Sequence, residues 1–399
     1  MAKLTRQEKV DVAGFFGLNG QQAEVIAHMG SNCVINAGAG TGKTKTLTAA
    51  YIDALINMTF ENGEPISPDN IVAITYTKAA AEELRSRIVA GLVALGREDV
   101  AELMGNAWIM TIHAFCSKIL KNEQLFVARE FGIDTNFRTI QGAEEKELQH
   151  DVAFSIVEEA FIDSEKEEGE KANKLLFSIL SQDKVTSAIT DIASKVQTHG
   201  VPVENIKAEL VSVMGLSFED KVNGANQQIV KLTKEYLRRY QKAKIAQGVL
   251  DFADQILYAH KLFIEHPQIN TKYKNKFGIL LIDEFQDTNA LQYEVFKSIA
   301  TDNLLVVGDK RQSIYAFQGA DVTVFDGVLE HVKKGTFSEV KLQRNYRSHK
   351  EVLDRVNEVF SSGELFGEAY VPLLGNPDFD EAHKLQAEDD KRVRFFAYS

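Results

Sequence analysis

Cysteine is almost absent from this chain of 399 residues, which holds only Cys33 and Cys116. Two cysteines make no disulfide framework and fit a reducing compartment, so the expected location is cytoplasmic. No run approaches the ~20 apolar residues of a membrane span, and Met1 to Lys9 lacks the apolar core of a signal peptide. A membrane partner is therefore not expected. Positive charge is in deficit, with 45 Lys and Arg against 57 Asp and Glu and a net charge of −12. That balance argues against a protein that coats nucleic acid indiscriminately, but a channel needs only local positive charge. Internal repeats and low-complexity tracts are also missing. What remains is an ordinary composition, 44% hydrophobic and 26% charged, able to bury a substantial core. The length predicts about two or three domains of ~100–200 residues.

One stretch organises the rest. Asn36-Ala37-Gly38-Ala39-Gly40-Thr41-Gly42-Lys43-Thr44 follows the apolar run Cys33-Val34-Ile35 and precedes Leu47 to Ile52, which reads as the start of a helix. A glycine-rich turn between a strand and a helix N-terminus gathers unpaired N–H groups and the positive end of the helix dipole onto an anion. Lys43 supplies a point charge for the β/γ-phosphates, and Thr44 offers a hydroxyl to Mg²⁺. The first glycine of the strict P-loop pattern is Ala37 here.

A short β-branched run at Ile71–Thr75 and another strand candidate at Ala107–Thr111 follow, leading into helical patterns at Ala79–Ile88 and Ala114–Leu120 respectively. Alternating strands and helices predict right-handed βαβ units and a parallel sheet with ligands at the carboxyl ends of its strands. Between about Asn122 and Gly248 the alternation stops; this stretch has one proline, Pro202, and reads as a helical insertion. Its charge is segregated. Glu144 to Glu170 is acidic and reads as a solvated face. From Lys221 to Gln247 seven basic residues stand against the single acid Glu235, interleaved with Tyr236 and Tyr240. That second run suits either a solvated face or phosphate and base contacts. Strand patterns resume at Phe277–Ile282, Leu304–Val307 and Glu339–Leu342, followed by a helical Glu351–Val356 and a strand-like Lys391–Ser399.

Asp283-Glu284 directly follows the apolar run Ile279–Ile282, so both carboxylates fall at a strand's carboxyl end. In a P-loop protein Asp283 is placed to reach Mg²⁺ and Glu284 to deprotonate an attacking water. The second carboxylate points to a hydrolase and away from a kinase.

Other segments share an order with these: Leu18-Asn19-Gly20-Gln21-Gln22, Thr75-Tyr76-Thr77-Lys78-Ala79-Ala80-Ala81-Glu82-Glu83-Leu84-Arg85, Thr111-Ile112-His113-Ala114-Phe115-Cys116, Leu250-Asp251-Phe252-Ala253-Asp254, Ile282-Asp283-Glu284-Phe285-Gln286-Asp287-Thr288-Asn289, Val307-Gly308-Asp309-Lys310-Arg311-Gln312-Ser313-Ile314-Tyr315 and Asn345-Tyr346-Arg347-Ser348. In that order the chain resembles the UvrD/Rep-like branch of superfamily 1 helicases, with RecB/AddA-like wording around Tyr76. That family also has alanine where Ala37 stands.

The resemblance implies an α/β fold: a P-loop RecA-like parallel-sheet domain (1A) with an inserted all-helical subdomain (1B) and an incomplete second RecA-like domain (2A). The expected boundaries are 1–121 and 250–344 for 1A, 122–249 for 1B and 345–399 for the start of 2A. It implies ATP and Mg²⁺ as cofactors. Ala37, Gly38, Ala39, Gly40, Thr41, Gly42, Lys43 and Thr44 would cradle the nucleotide, with Gln22 reading the adenine edge and Tyr346 stacking on the base. Thr44 and Asp283 would hold the metal. Lys43, Glu284, Gln312 and Arg347 would carry the reaction, Arg347 as an arginine finger. Tyr76, Thr77, His113 and Phe317 would meet single-stranded DNA, although His113 reads equally as a capping or core histidine.

Two departures stand out. Gln318 occupies the place of the family's usual arginine, and motifs V and VI are not found after Ser348. The expectation is the N-terminal part of a longer ATP-dependent 3′→5′ DNA helicase, acting on single-stranded DNA and single-strand/duplex junctions. The alternative is an ATP-binding module that gates a partner nuclease or repair complex without unwinding DNA itself.

Overall fold

The computed structural model describes residues 4–7, 9–198, 200–201, 203–207, 223–314, 320–361 and 372–377. The chain divides into two compact units. One comprises residues 1–111, 271–288 and 299–399, the other 112–270 and 289–298.

The first unit is built on six short strands: β1 (Cys33–Ala37), β2 (Ile71–Ile74), β3 (Trp108–Met110), β4 (Ile279–Ile282), β5 (Leu304–Gly308) and β6 (Ser338–Leu342). They pair in the order β6-β1-β5-β4-β2-β3, every pairing parallel. Each predicted run up to Glu339–Leu342 supplies one strand, and the strand-like Lys391–Ser399 lies outside the described residues. The four central strands are almost wholly buried, which is why they read as continuous apolar runs and not as alternating ones. The mixed α/β class with a parallel sheet, consistent with a RecA-like helicase domain, is the fold expected from the sequence.

Helix α1 (Gly20–Ala27) begins with a capping box in which Asn19 and Gln22 exchange side-chain-to-backbone hydrogen bonds. Helix α2 (Lys43–Asn57) starts four residues before the Leu47 suggested by hydrophobicity, because Lys43-Thr44-Lys45 forms a polar first turn facing the loop. From Thr46 to Asn57 α2 is buried throughout. Helix α3 (Lys78–Ala94) lies against α2, and Gly91 makes their approach close: a Cβ there would sit 2.5 Å from Ile52. One apolar cluster joins these helices to the sheet, running from Val25 through Tyr51 and Ile88 to Val340.

The second unit is mainly helical. It contains α4 (Ile112–Asn122), α5 (Ala143–Glu165), α6 (Lys171–Ile179), α7 (Gln182–Thr198), α8 (Asn223–Ala246) and α9 (Phe252–Glu265). Helices α5 to α8 pack on a core of their own, including Val157, Leu176, Ile189 and Ile229. A two-residue parallel ladder joins Arg138–Thr139 to Val249–Leu250. It is too short to leave a sequence pattern.

Packing accounts for the two tyrosines of the basic run, whose first residue, Lys221, lies outside the described residues. Tyr236 and Tyr240 are buried and stacked on each other, ring centroids 5.6 Å apart, within the helical core. They offer no base contact. The basic and acidic runs meet across the helices: Arg239 pairs with Glu159 at 2.7 Å and Lys231 with Glu170 at 2.8 Å. Lys244 is fully buried between Asp251 and Asp254, 2.6 Å from each, with its ammonium 4.2 Å from the Tyr240 ring centroid.

Candidate nucleotide site

The parallel sheet brings the carboxyl ends of all six strands to one edge, and the first unit's candidate residues gather there. The chain leaves β1 at Ala37 and turns through Gly38–Gly42 into α2. Gly40 and Gly42 have φ of +70° and +80°, a left-handed backbone that side chains resist. Among the described residues, the backbone N–H groups of Ala39, Gly40, Gly42 and Lys43 make no hydrogen bond. Together with the N-terminus of α2 they form a concave set of donors suited to an anion.

Lys43 reaches across this loop to Glu284, its Nζ donating to both carboxylate oxygens at 2.9 and 3.0 Å. Glu284 follows β4 in a left-handed conformation, φ +51°, which is uncommon for a residue with a side chain. That conformation aims its carboxylate at the loop. Asp283 precedes it. Burial, and then the neighbouring Glu284 charge, push the Asp283 carboxyl up to about 6.

Gln286 ties this pair to the end of β5. Its amide donates to Glu284 Oε2 at 2.8 Å, and its carbonyl oxygen accepts from the Asp309 N–H at 3.1 Å. Asp309 in turn accepts from Gln312 Nε2 at 2.9 Å and from Arg311 Nε at 2.8 Å. Burial opposes ionisation of Asp309, but these donors outweigh it and hold its carboxyl below the ordinary value. Lys43, Glu284 and Gln312 are thus linked through Gln286 and Asp309.

The segment after β6 docks on the same loop. Asn345 Nδ2 donates to the Ala39 carbonyl at 2.7 Å, and the Tyr346 N–H donates to that of Gly40 at 2.7 Å. The Tyr346 hydroxyl accepts from Asn19 Nδ2. Gln22 is buried, with its Nε2 on the Thr41 carbonyl at 3.1 Å and its Oε1 on the Asn19 N–H at 3.2 Å. Arg347 is exposed. Lys43, Thr44, Gln22, Asp283, Glu284, Gln312, Tyr346 and Arg347 all belong to this unit.

The proposed DNA-contacting residues are placed separately. Tyr76 is half-buried just after β2, and Thr77 caps α3, its hydroxyl accepting from the Ala80 N–H at 3.1 Å. His113 belongs to the other unit. Its ring tilts against Phe252 with centroids 4.8 Å apart, and burial lowers its pKa to about 4. It is therefore neutral at physiological pH. Phe317 and Gln318, like the strand-like Lys391–Ser399, lie outside the described residues. Gln286 and Asn345 were not singled out from the sequence. Both stand inside segments quoted above, but a polar residue beyond a strand carries no local sign of what it touches.

The family described as UvrD/REP helicase N-terminal domain matches residues 18–333. An "ATP-dependent DNA helicase PcrA" of Bacillus subtilis (strain 168) is 32% identical over 351 residues, 87% of this chain and 40% of that protein. A "Probable DNA helicase II homolog" of Rickettsia felis is 30% identical over 396 residues, 96% of this chain and 52% of that protein. A PcrA helicase of Staphylococcus epidermidis is 29% identical over 344 residues, covering 86% of this chain and 40% of its own. The chain thus spans about half the length, or less, of these relatives.

Proposed function

Because the chain belongs to the UvrD/REP helicase N-terminal domain family, we propose that it is the nucleotide-binding part of a DNA-dependent ATPase motor. The motor moves 3′→5′ along single-stranded DNA and unwinds duplexes from single-strand/duplex junctions. Residues 1–121 and 250–344 form motor domain 1A, 122–249 the helical insertion 1B and 345–399 the opening of 2A. The observation that carries the reading is the Lys43–Glu284 pair laid across a loop with four unpaired N–H groups.

In this reading the loop amides and Lys43 bind the β/γ-phosphates, so Lys43 exchanges its carboxylate partner for the nucleotide. Glu284, released from Lys43 and still held by Gln286, accepts a proton from the attacking water. Gln312 senses the γ-phosphate from the Asp309 turn. The exposed Arg347 supplies positive charge to the transferring phosphoryl group. Tyr346 stacks on adenine, and Gln22 offers its remaining amide hydrogen to the base edge. Tyr76, Thr77, His113 and Phe317 contact single-stranded DNA; a neutral His113 acts there as a flat ring and not as a cation.

The Thr44 hydroxyl and the Asp283 carboxylate fit Mg²⁺, since a cation relieves the burial and repulsion that hold Asp283 up. Among the described residues no group of three or more acidic, His or Cys side chains forms a metal cage. Mg²⁺ held by one or two protein oxygens and substrate phosphates needs none. When bound, it would supply positive charge that offsets the negative charge of the polyphosphate. Among the described residues no helix is long and apolar enough to cross a membrane.

Hydrolysis of ATP with and without single-stranded DNA tests the reading. DNA-stimulated turnover lost in Lys43→Ala and Glu284→Gln supports a motor. ATP binding without turnover, restored only by a partner, supports a gating module instead. Binding of neither ATP nor DNA overturns both.

A further inference from the structure

Four consecutive carbonyls of the loop each accept a hydrogen bond. Gly38 O accepts from Thr41 Oγ1 at 2.8 Å, Ala39 O from Asn345 Nδ2 at 2.7 Å, Gly40 O from the Tyr346 N–H at 2.7 Å, and Thr41 O from Gln22 Nε2 at 3.1 Å. Three of these donors lie far away in sequence. A trans peptide sets its C=O and the following N–H in opposite directions, and the described residues contain no cis peptide. Fixing the carbonyls of Gly38, Ala39 and Thr41 therefore turns the N–H groups of Ala39, Gly40 and Gly42 the other way. Those are three of the donors that remain unpaired.

We propose that Asn345 is a positioning residue for this loop: its amide holds the Ala39 carbonyl outward so that the loop's N–H groups converge on polyphosphate before it arrives. The inference rests on the reading of the loop as a nucleotide polyphosphate site. Asn345 is buried, and its polar atoms are committed on both sides. Nδ2 reaches Ala39, while Oδ1 accepts the N–H groups of Arg347 and Ser348, both at 2.8 Å. Its own N–H donates to the Leu374 carbonyl at 2.8 Å. One side chain thus fixes the loop and also shapes the turn that presents Arg347. The approach is so close that a Cβ on Gly40 would lie 2.7 Å from Asn345 Nδ2 and 2.9 Å from Arg347 Cβ. Glycine at 40 is required by this docking as well as by its positive φ.

The physical expectation is preorganisation. Without the outer donor the peptide between Ala39 and Gly40 can rotate, and an incoming anion must then order it at its own cost. Pyrophosphate and ADP should suffer alike, because Asn345 touches the phosphate loop and not the base-stacking ring.

Asn345→Ser tests this in the full 399-residue protein. A serine hydroxyl can still receive the N–H of residue 347 in a local turn, but it is too short to reach Ala39. Titrations with inorganic pyrophosphate and with ADP should each show affinity about tenfold weaker than the parent. Amide hydrogen exchange should accelerate at the loop's two bonded N–H groups, those of Gly38 and Thr41, and stay unchanged in β4 and β5. Affinities within twofold of the parent overturn the inference, as does faster exchange spread over the whole sheet, which marks a merely structural role. A parent protein that binds neither pyrophosphate nor ADP overturns the reading of the loop itself. If the serine variant does not fold, Asn345→Asp keeps the acceptor for Arg347 and Ser348 but offers Ala39 no donor. Exchange in the loop then decides alone: acceleration supports the inference and parent-like protection overturns it.

Discussion

Lys43 and Glu284 form a closed ion pair, with Nζ within 3.0 Å of both carboxylate oxygens. Under the proposed reading, polyphosphate must take the lysine from this protein partner, and Glu284 would be freed for chemistry only when it does. Glu284→Gln removes the competitor as well as the base. The variant should bind a fluorescent ATP analogue as tightly as the parent or several-fold more tightly, while turnover falls about 10²-fold or more. Weaker nucleotide binding in this variant would contradict the competition.

Gln286 joins Glu284 to the turn that carries Gln312. Gln286→Met keeps the volume and removes both links. Steady-state kinetics should show kcat falling about tenfold with KM for ATP little changed, since a misplaced base affects the chemical step and not binding. The loss should disappear when the substitution is made in a Glu284→Gln background, because the two act as one unit.

Asp283 is held above its ordinary value, at about 6, by burial and the adjacent Glu284. An acid raised on folding binds more protons in the folded chain, so its contribution to stability falls as pH rises from about 4 through about 6. Asp283→Asn should therefore raise the thermal midpoint of the ligand-free protein at pH 7.5. The gain is on the order of 1–2 kcal/mol once residual solvent contact is allowed for. At pH 4 the advantage should vanish. Melting curves at both pH values check the sign.

Lys244, buried between Asp251 and Asp254, neutralises carboxylates that also cap α9. Burial and the Asp251 charge raise the Asp254 carboxyl, so the cluster depends on its single cation. Lys244→Met should destabilise the helical unit by about 3–5 kcal/mol, as unpaired buried charge does. Adding Asp254→Asn should recover part of that loss, and denaturant unfolding of the single and double variants measures the difference.

The four central strands were legible because each is a short apolar run buried on both faces. Their order was not, since nothing local in Glu339–Leu342 says that this last strand pairs with Cys33–Ala37. Residue types at the candidate site were equally plain: glycine, lysine and paired carboxylates keep a recognisable spacing. Their present partners were hidden. Gln22 reads as a base-contacting amide, yet its Nε2 is engaged by Thr41. The run from Lys221 to Gln247 misled for a related reason. Basic residues alternating with tyrosines look the same whether the rings face a ligand or a core. The carboxylates Glu159 and Glu170 that pair with Arg239 and Lys231 are separated from them in sequence by helices α6 and α7.

The small ladder between Arg138–Thr139 and Val249–Leu250 has a consequence larger than its size. Ile140 and Gly248 extend it through bonds of 3.0 Å to Leu250 and Arg138. The chain therefore departs toward α5 and comes back from α8 at points only about 10 Å apart. Everything hung between them is a cassette on a clasp. Helices far from the clasp can be lengthened or trimmed without moving the two points of attachment, as long as Lys244 on α8 stays to neutralise Asp251 and Asp254 beyond it.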